Sequence, residues 1–405
     1  MTMTTNHSFY RLQGVVQHYA WGGLKFIPQL LGFANPERRP FAEYWLGAHP
    51  HAPSLAMVDG QNVALNALIH ADPNYFLGER VWQQFSRLPF LLKVLDARDM
   101  LSIQVHPSKT QAEAGFAREN RAGILPDAAD RTYKDDNHKP EVHVALTDFW
   151  MLHGFRPLSE IKALLDSHPE WAPLRAWSND GIESLYRRVM TLPPEQVDMI
   201  LQPLLDRLRR ESHLDKDSPH YWALRAADAF PRSDGHIDRG IFSIYLLNLI
   251  HLHSGQGTFQ DAGVPHAYLE GVNVELMANS DNVLRGGLTP KVINVDELLK
   301  TVRYQGEEPQ ILTGISASDY ERIYPTVARD FELSVIDLPE GKTMTLTTAG
   351  SPSILLLLDG RVQLSHAVES IIISRGHAVF IVADRDITIH AQQQTIIFRA
   401  HVPIP

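Results

Sequence analysis

A chain of 405 residues with 44% hydrophobic and 21% charged residues has the composition of a globular protein, and its length predicts two or three domains. The absence of cysteine excludes disulfides, thiolate metal sites and a cysteine nucleophile. The net charge of -10 argues against a nucleic-acid or anionic-membrane surface, because both require clustered cations. No apolar run has the length of a signal peptide or a membrane span, so we expect a cytoplasmic protein.

The first 154 residues alternate short β-type runs with turn-rich and helical connections. The clearest runs are "FLLKVL" at 90–95, "LSIQVH" at 101–106 and "VHVALTDFWML" at 142–152. Residues 155–239 differ, since "SEIKALLDSH", "GIESLYRRVMTL" and "PEQVDMILQPLLDRLRRESH" repeat apolar residues every three or four positions. This spacing predicts amphipathic helices, and therefore a helical insertion.

Strand character returns in residues 240–316, beginning with "IFSIYLLNLIHLHSGQGTFQDAG" and continuing through "AYLEGVNVELMA". A helix is predicted next at "NVDELLKTVRY", where Asn294 and Glu297 have the spacing of a capping pair. Residues 317–405 are almost entirely short strands separated by Gly, Asp and Pro, a pattern typical of a β-sandwich or jelly roll.

The stretch "LSIQVHPSK" carries polar residues at every second position. In a strand, Ser102, Gln104 and His106 face one side because side chains alternate across the pleat. Pro107 favours an extended conformation at His106, which would hold the imidazole at a strand end. This arrangement suggests a ligand position, although a hydrogen-bonded core histidine has the same local pattern.

Two later segments combine charged and histidine residues with proline. In "YKDDNHKPEVHVAL", a strand that begins near Lys139 would place Lys139, Glu141 and His143 on one face and His138 on the other. Pro140 and the spacing of the histidines argue against a helical metallopeptidase motif. The other segment is "GVPHAYLEGVNVELMANSDNVLRGGLTPK", and its candidate residues are His266, Glu275, Asp281, Arg285 and Lys291.

Six motifs in order resemble those of the type I mannose-6-phosphate isomerase family: "VQHYAWGG", "FAEYWLGAHP", "SIQVHPSK", "NHKPE", "PHAYLEG" and "SDNVLRGGLTPK". The resemblance implies a mainly β fold with an α insertion. It comprises a cupin-type jelly-roll catalytic domain in two parts (1–154 and 240–316), a helical domain (155–239) and a second, C-terminal jelly-roll-like β-domain (317–405). It also implies interconversion of D-mannose 6-phosphate and D-fructose 6-phosphate, and a place in mannose metabolism and GDP-mannose biosynthesis.

The family's metal ligands, transferred to this chain, are Gln104, His106, Glu141 and His266, which would hold one Zn²⁺. Two imidazoles, a carboxylate and an amide oxygen suit zinc. Ligand softness alone would equally allow Co²⁺, Mn²⁺ or Fe²⁺, so the choice of zinc rests on the resemblance. A closed metal site that only ties strands together is the structural alternative.

Isomerisation requires a group that moves a proton between C1 and C2 and groups that stabilise the enediolate. Lys139 is the first candidate for either task, and His138 is a second proton carrier. Asp281 is a candidate for ring opening, or else stabilises its own turn with Asn282. The resemblance marks Arg285 as an active-site residue that would grip an oxyanion, whereas a surface pair with Asp281 is its structural alternative.

The remaining substrate-binding candidates are Ser102, Lys93, Lys109, Lys291 and Glu275. Lys93 interrupts an apolar strand, which an exposed sheet edge would also explain. The expected partner is a small sugar phosphate bound by a monomer, without nucleic acid or membrane. A cupin dioxygenase and a sugar-phosphate sensor without catalysis remain as alternatives.

Overall fold

The computed structural model describes residues 7–128 and 130–403. Among these residues, no helix combines the length and apolarity needed to cross a membrane. The strands of the first part of the chain are β1 Phe9–Gln13, β2 Val15–Gln17, β3 Glu43–Gly47, β4 Leu55–Val58, β5 Gln61–Ala64, β6 Phe90–Ala97, β7 Gln104–Val105, β8 Glu141–Ala145 and β9 Phe149–Phe155. The helices between them are α1 Phe26–Leu30, α2 Leu65–Ala71, α3 Pro73–Leu77, α4 Glu79–Phe85 and α5 Lys109–Arg121.

The predicted helical insertion is present between β9 and the next strand. Its helices are α6 Leu158–Ser167, α7 Ala172–Ser178, α8 Gly181–Thr191, α9 Pro194–Leu208, α10 Pro219–Ala229 and α11 Gly240–Leu246, with a 3₁₀ helix at Pro169–Trp171. α9 begins with Pro194 in its first turn, where the missing amide hydrogen costs nothing. The apolar faces of α8 and α9 pack into one buried core with Trp222 of α10.

The strand predicted at "IFSIYL" is wrong, because residues 240–246 form α11. All seven residues of this helix are buried, so the segment is apolar on every side and has no amphipathic period. A short apolar run of this kind does not distinguish a buried helix from a buried strand. The strand begins only at Leu247.

The chain then forms β10 Leu247–Leu252, β11 Gly257–Gln260, β12 His266–Ala278, β13 Leu284–Arg285 and α12 Val295–Thr301. The predicted cap of α12 is confirmed, because the Asn294 side chain accepts a hydrogen bond from the amide of Glu297. The last strands are β14 Ile315–Ser316, β15 Glu321–Tyr324, β16 Glu332–Leu338, β17 Thr343–Thr347, β18 Ser353–Asp359, β19 Arg361–His366, β20 Glu369–Ser374, β21 Ala378–Ile381, β22 Asp386–Ala391 and β23 Thr395–His401.

One ten-stranded sheet positions the candidate residues. It contains β10-β9-β12-β6-β3-β2 in that order, with β7, β8, β11 and β13 attached. The long strand β12 is its hub, because its beginning pairs with β7 and β9 and its end pairs with β6 and β8. Between the two halves lie a register shift and Gly271, whose φ of 128° disfavours side chains.

The C-terminal strands form the predicted β-rich unit from two sheets. A nine-stranded sheet runs β14-β15-β16-β23-β18-β21-β1-β4-β5, and a four-stranded sheet runs β17-β22-β19-β20. Alternate residues of β18 belong to two different cores. Leu356 belongs to the same core as Leu92 of the ten-stranded sheet, whereas Leu355 belongs to the same core as Ile389 of the four-stranded sheet.

The mainly β fold with a helical insertion is confirmed. The N-terminal strand β1 and the hairpin β4–β5 hydrogen-bond within the C-terminal sheet, with Phe9 opposite Ile381. The domain boundaries at residues 154, 239 and 316 stay predictions.

We predict that Leu276→Ala in β12 destabilises the protein by about 2–5 kcal/mol, because Leu276 is 0% exposed and truncation leaves a cavity. Leu125→Ala is the matched control, since Leu125 is 72% exposed and its loss is expected to change stability by less than about 0.5 kcal/mol. Urea unfolding followed by circular dichroism measures both. Equal losses of unfolding free energy in the two variants would contradict the central position of β12.

Candidate active site

Three side chains from different segments in or beside the ten-stranded sheet converge in the protein interior. His106, Glu141 and His266 each present a donor atom, and these atoms lie within 4.8 Å of one another. The Nε2 atoms of His106 and His266 are each 3.4 Å from a different oxygen of the Glu141 carboxylate. All three side chains are buried, so the carboxylate is shared between two imidazoles away from bulk water.

The convergence follows from strand register. His266 at the start of β12 lies opposite Gln104 of β7, and Gln104 lies opposite Arg285 of β13. Glu141 begins β8 and lies opposite Met277 near the other end of β12. The sheet therefore brings together segments that are distant in sequence.

The position of His106 is stabilised by the residues that follow it. Pro107 ends the extended segment, and Ser108 begins α5 with a capping box in which Ser108 and Gln111 satisfy each other's backbone amides. The backbone therefore turns away immediately after His106, and the imidazole stays at the strand end.

Backbone carbonyls orient both imidazoles. His106 Nδ1 lies 2.8 Å from the carbonyl oxygen of Asn282, and His266 Nδ1 lies 3.0 Å from that of Val264. A carbonyl only accepts, so Nδ1 carries the hydrogen and Nε2 presents its lone pair toward Glu141. Burial lowers the pKa of His106 to about 4, which keeps this imidazole neutral at neutral pH.

The donor set fits a tetrahedral zinc ion. Ligands at zinc–nitrogen and zinc–oxygen bond lengths are separated by about 3.3 Å in a tetrahedral site, close to the observed 3.4 Å. His106 Nε2 is buried and has no hydrogen-bond partner, which is costly for a polar atom unless a ligand uses it. Gln104 lines the same cleft and is available as a fourth ligand.

Lys139 supplies a positive charge beside the shared carboxylate. Its Nζ atom is 3.1 Å from Glu141 Oε1, and the lysine side chain is buried. Burial opposes ionisation of Glu141, but Lys139 and His106 outweigh it and hold the pKa of this carboxyl well below its usual range. The ion-pair partner of Lys139 is thus Glu141.

A second buried ionic cluster forms the opposite part of the cleft. Lys93 Nζ is 3.0 Å from Glu275 and 3.8 Å from Glu43, and the Tyr268 hydroxyl donates to Glu275 at 2.8 Å. Burial alone would lower the pKa of Lys93, but the carboxylates of Glu275 and Glu43 raise it above its usual range. Lys93 is buried in the sheet, between β3 and β12, and is not an exposed edge lysine.

Both clusters line one small cavity of about 40 Å³. Its walls are formed by Glu43, Lys93, Leu95, Leu101, Gln104, Lys139, Glu141, His266, Tyr268 and Glu275. Charged groups of both signs thus surround a space with few apolar atoms, as expected for a site that binds a polar molecule.

Arg285 is half-buried and lies opposite Gln104, a residue that lines this cavity, and burial lowers its pKa. None of the ion pairs among the described residues involves Arg285, so the predicted alternative of a pair with Asp281 is not observed. Instead, Asp281 lies 3.4 Å from His49 and 3.7 Å from His51. Burial favours protonation of Asp281, but the hydrogen bond and charge of His49, together with the charges of Lys139 and His51, outweigh it and lower the pKa of the carboxyl.

Lys291 and Lys134 extend the positive charge around Arg285. The Arg285 guanidinium lowers the pKa of Lys291, and Lys134 adds to this effect, because neighbouring cations disfavour a further positive charge. Lys291 itself is exposed. The three cations are therefore close enough to influence one another and create a positive rim.

Other predicted residues lie apart from the metal donors. His138 Nε2 is 3.0 Å from Asp330, and both His138 and Lys139 precede β8, which begins at Glu141. Lys109 is exposed and donates to the carbonyl of Asp136 at 2.9 Å. Ser102 is half-buried on the segment that leads to Gln104.

Sequence reasoning missed Glu43, Tyr268 and His49 as site residues. Tyr268 had a usable signal, because it follows His266 by two positions and so lies on the same strand face. Glu43 is the first residue, and the charged one, of the strand "EYWLG", but its ion-pair partner Lys93 lies fifty positions away in the sequence. Only the pairing of β3 with β6 brings these two residues together.

Comparison with known proteins agrees with this geometry. Residues 9–158 match the family model of the phosphomannose isomerase type I catalytic domain. The mannose-6-phosphate isomerase of Escherichia coli strain K12 is 39% identical over 382 residues, which cover 92% of this chain and 95% of that protein. The rat mannose-6-phosphate isomerase is 34% identical over 98% of this chain and 99% of that protein.

The solved structure of mannose 6-phosphate isomerase from Salmonella typhimurium, bound to its substrate fructose 6-phosphate and to zinc, superposes with a TM-score of 0.88. That structure is 35% identical, and the match covers 98% of this chain and 100% of the other. A zinc-bound structure of mannose 6-phosphate isomerase gives the same TM-score of 0.88 at 36% identity. Sequence and fold thus agree over nearly the whole chain, which belongs to the type I mannose-6-phosphate isomerase family.

Proposed function

We propose that this chain is an aldose-ketose isomerase that interconverts D-mannose 6-phosphate and D-fructose 6-phosphate through an enediolate. The observation that carries the proposal is the buried His106–Glu141–His266 donor set, which opens on a polar cavity with Lys139 3.1 Å from Glu141. Full-length relatives with this activity in their names support it.

His106, Glu141, His266 and Gln104 would hold one zinc ion. When bound, the ion would act as a Lewis acid that polarises a sugar oxygen and lowers the energy of developing negative charge. The chain's own contribution is orientation, since Asn282 and Val264 fix the two imidazoles through their carbonyl oxygens.

Lys139 is the proposed group for proton transfer at C1 and C2, or for hydrogen bonding to the enediolate oxygens. Its buried ammonium borders the cavity and adjoins the shared carboxylate, so it is fixed in direction. A positioned donor in a site shielded from water stabilises developing charge more strongly than one in bulk solvent.

The rim formed by Arg285, Lys291 and Lys134 is the proposed partner of substrate oxyanions. Arg285 has the planar guanidinium needed for paired hydrogen bonds to a phosphate or an enediolate. Asp281, held by His49, is the proposed proton carrier for ring opening. The Lys93–Glu275–Tyr268 cluster would bind sugar hydroxyls from the far wall.

Two alternatives use the same metal donors without isomerisation. A metal-dependent dioxygenase does not require the cations Lys139, Arg285 and Lys291, and a sugar-phosphate sensor would bind without turnover. The cations around the donors favour the isomerase. The monomeric state, the cytoplasmic location, the role in GDP-mannose biosynthesis and the catalytic part of His138 stay predictions.

We predict that purified protein converts fructose 6-phosphate to mannose 6-phosphate and that a chelator abolishes this activity. His266→Ala and Gln104→Ala should lower zinc content and turnover together, because each removes a donor from the shared ion. Elemental analysis and a coupled assay measure both quantities.

His153→Ala is the matched control for His266→Ala, since His153 lies opposite His266 in β9 but offers no donor to the three-residue set. This control should retain zinc. Full zinc occupancy in a folded His266→Ala variant would remove His266 from the ligand set, and binding of fructose 6-phosphate without turnover would favour the sensor.

Lys139→Met should keep its zinc and lose isomerisation by about 10²–10⁴-fold, the usual contribution of a general acid or base. The change deletes the ammonium and keeps an approximately equal volume. Exchange of the C2 proton of mannose 6-phosphate with solvent deuterium reports on the proton step directly.

The control for this change is Lys342→Met, because Lys342 is exposed in the C-terminal unit, and normal activity is expected. If Lys139→Met exchanges the C2 proton at the parental rate, another group is the base.

Arg285→Lys should retain folding and zinc but lower kcat/KM for mannose 6-phosphate by at least about 10²-fold, as expected for loss of a positioned oxyanion donor. Lysine keeps the charge but cannot form paired, planar hydrogen bonds. Comparison with unphosphorylated mannose separates the two roles, since loss of a phosphate contact spares the poorer substrate and loss of a transition-state contact does not.

Arg187→Lys is the matched change on α8, where Arg187 forms an exposed pair with Glu183 at 2.8 Å. We expect its kcat/KM to match that of the parent. Nearly full activity of Arg285→Lys would show that Arg285 lies outside the catalytic machinery.

A further inference from the structure

A second cluster of metal-ligating side chains lies away from the candidate active site. It consists of Asp148, just before β9, together with His251 and His253 at the end of β10. The donor atoms of these three residues lie within 4.8 Å of one another. His251 Nε2 is 3.3 Å and His253 Nδ1 is 2.9 Å from the same oxygen, Asp148 Oδ1.

Strand pairing explains why these groups converge. His251 and His253 are two positions apart, so they share one face of the chain as it leaves β10. β9 and β10 are antiparallel, with Trp150 opposite His251 and Phe149 opposite Leu252. The next position places Asp148 across from His253.

His251 is held in a fixed orientation by groups outside the cluster. Its ring stacks on Trp150 with 4.2 Å between the ring centroids and 15° between the planes. Its Nδ1 atom is at an ion-pair distance of 3.3 Å from Asp217 Oδ1, and this oxygen accepts a hydrogen bond from the Trp150 indole at 3.1 Å. A carboxylate that binds the far nitrogen of an imidazole directs the other nitrogen to a metal, as in carboxylate–histidine–zinc sites.

The local charge also favours a cation. In the part of the chain that the structure describes, neither Asp148 nor Asp217 forms an ion pair with lysine or arginine. The ion-pair partners of these two carboxylates are His251 and His253. Lys216, which precedes Asp217, lies 4.7 Å from the centroid of the Trp150 ring but pairs with Glu270, so it does not neutralise either carboxylate through an ion pair.

We propose that Asp148, His251 and His253 form a second, exchangeable binding site for a divalent transition-metal ion of the zinc class. The observed donor separations of 2.9 and 3.3 Å are close to the value of about 3.3 Å for a tetrahedral zinc ion. Three protein donors leave the remaining position to water, and the exposed setting allows the ion to exchange. Asp217 is a positioning residue that acts through His251.

The site would connect two parts of the fold. Asp148 and the histidines belong to the β9–β10 pair, whereas Asp217 precedes α10 of the helical insertion. Asp148 lies five positions from His153, the residue opposite His266, so about 16 Å of strand separates the cluster from the candidate active site. The inference does not depend on the proposed isomerase activity.

The test is a titration of zinc-loaded holoenzyme with additional Zn²⁺, followed by calorimetry and native mass spectrometry. The parent protein should bind a second ion per chain and gain thermal stability as Zn²⁺ is added. His251→Asn and His253→Asn should each weaken this second binding by at least about tenfold and leave the first ion and isomerase activity unchanged. Asp217→Asn should weaken it about tenfold by releasing the His251 ring.

His236→Asn is the matched control, because His236 is a partly exposed histidine with carboxylate partners, Asp198 at 2.6 Å and Glu195 at 4.0 Å, in the helical insertion. This variant should bind the second ion like the parent. The proposal is overturned if the parent binds no second ion up to about millimolar Zn²⁺, or if His251→Asn and His253→Asn titrate like His236→Asn. Circular dichroism verifies that each variant is folded, and His251→Gln replaces His251→Asn if that variant is unfolded.

Discussion

The shared carboxylate of Glu141 is the interaction on which the site depends. A buried carboxylate is unfavourable unless positive charge or hydrogen bonds compensate for lost hydration. Glu141 meets this requirement with the Lys139 ammonium at 3.1 Å, while the Nε2 atoms of His106 and His266 lie 3.4 Å from its oxygens. The same contacts that make the burial tolerable also gather the donors that suit a divalent cation.

Strand β12 makes this arrangement possible. Its first half pairs with β7 and β9 and its second half with β6 and β8, so one strand contacts both groups of site residues. His266 and Tyr268 line the cavity from its first half, and Glu275 lines it from the second half. The register shift and the positive φ of Gly271 let the strand change partners between them.

The two walls of the cavity carry two different charged clusters. On one wall Lys139 and Glu141 adjoin the metal donors, and on the other Lys93 is neutralised by Glu275 and Glu43. Arg285 differs because it is half-buried and has no ion-pair partner among the described residues. A cation left unpaired in this way is available to a substrate oxyanion, which the internally neutralised Lys93 is not.

Local features of the sequence determined much of this protein. Alternating polar residues predicted that Gln104 and His106 share a strand face, three-residue periodicity predicted the helical insertion, and Asn294 predicted the start of α12. The family motifs predicted the metal donors, whereas His106 or His266 taken alone was better explained as a hydrogen-bonded core histidine. These features are readable because they depend on neighbouring residues.

Only the tertiary structure decided which distant groups meet. Helix α11 shows no hydrophobic periodicity because all of its residues are buried. The pairing of β1 with β21 of the C-terminal sheet joins the two ends of the chain. Glu43 reaches Lys93, and Asp148 meets two histidines more than a hundred positions later, through strand register. Register is set by long-range pairing and burial, and neither is written in the spacing of nearby residues.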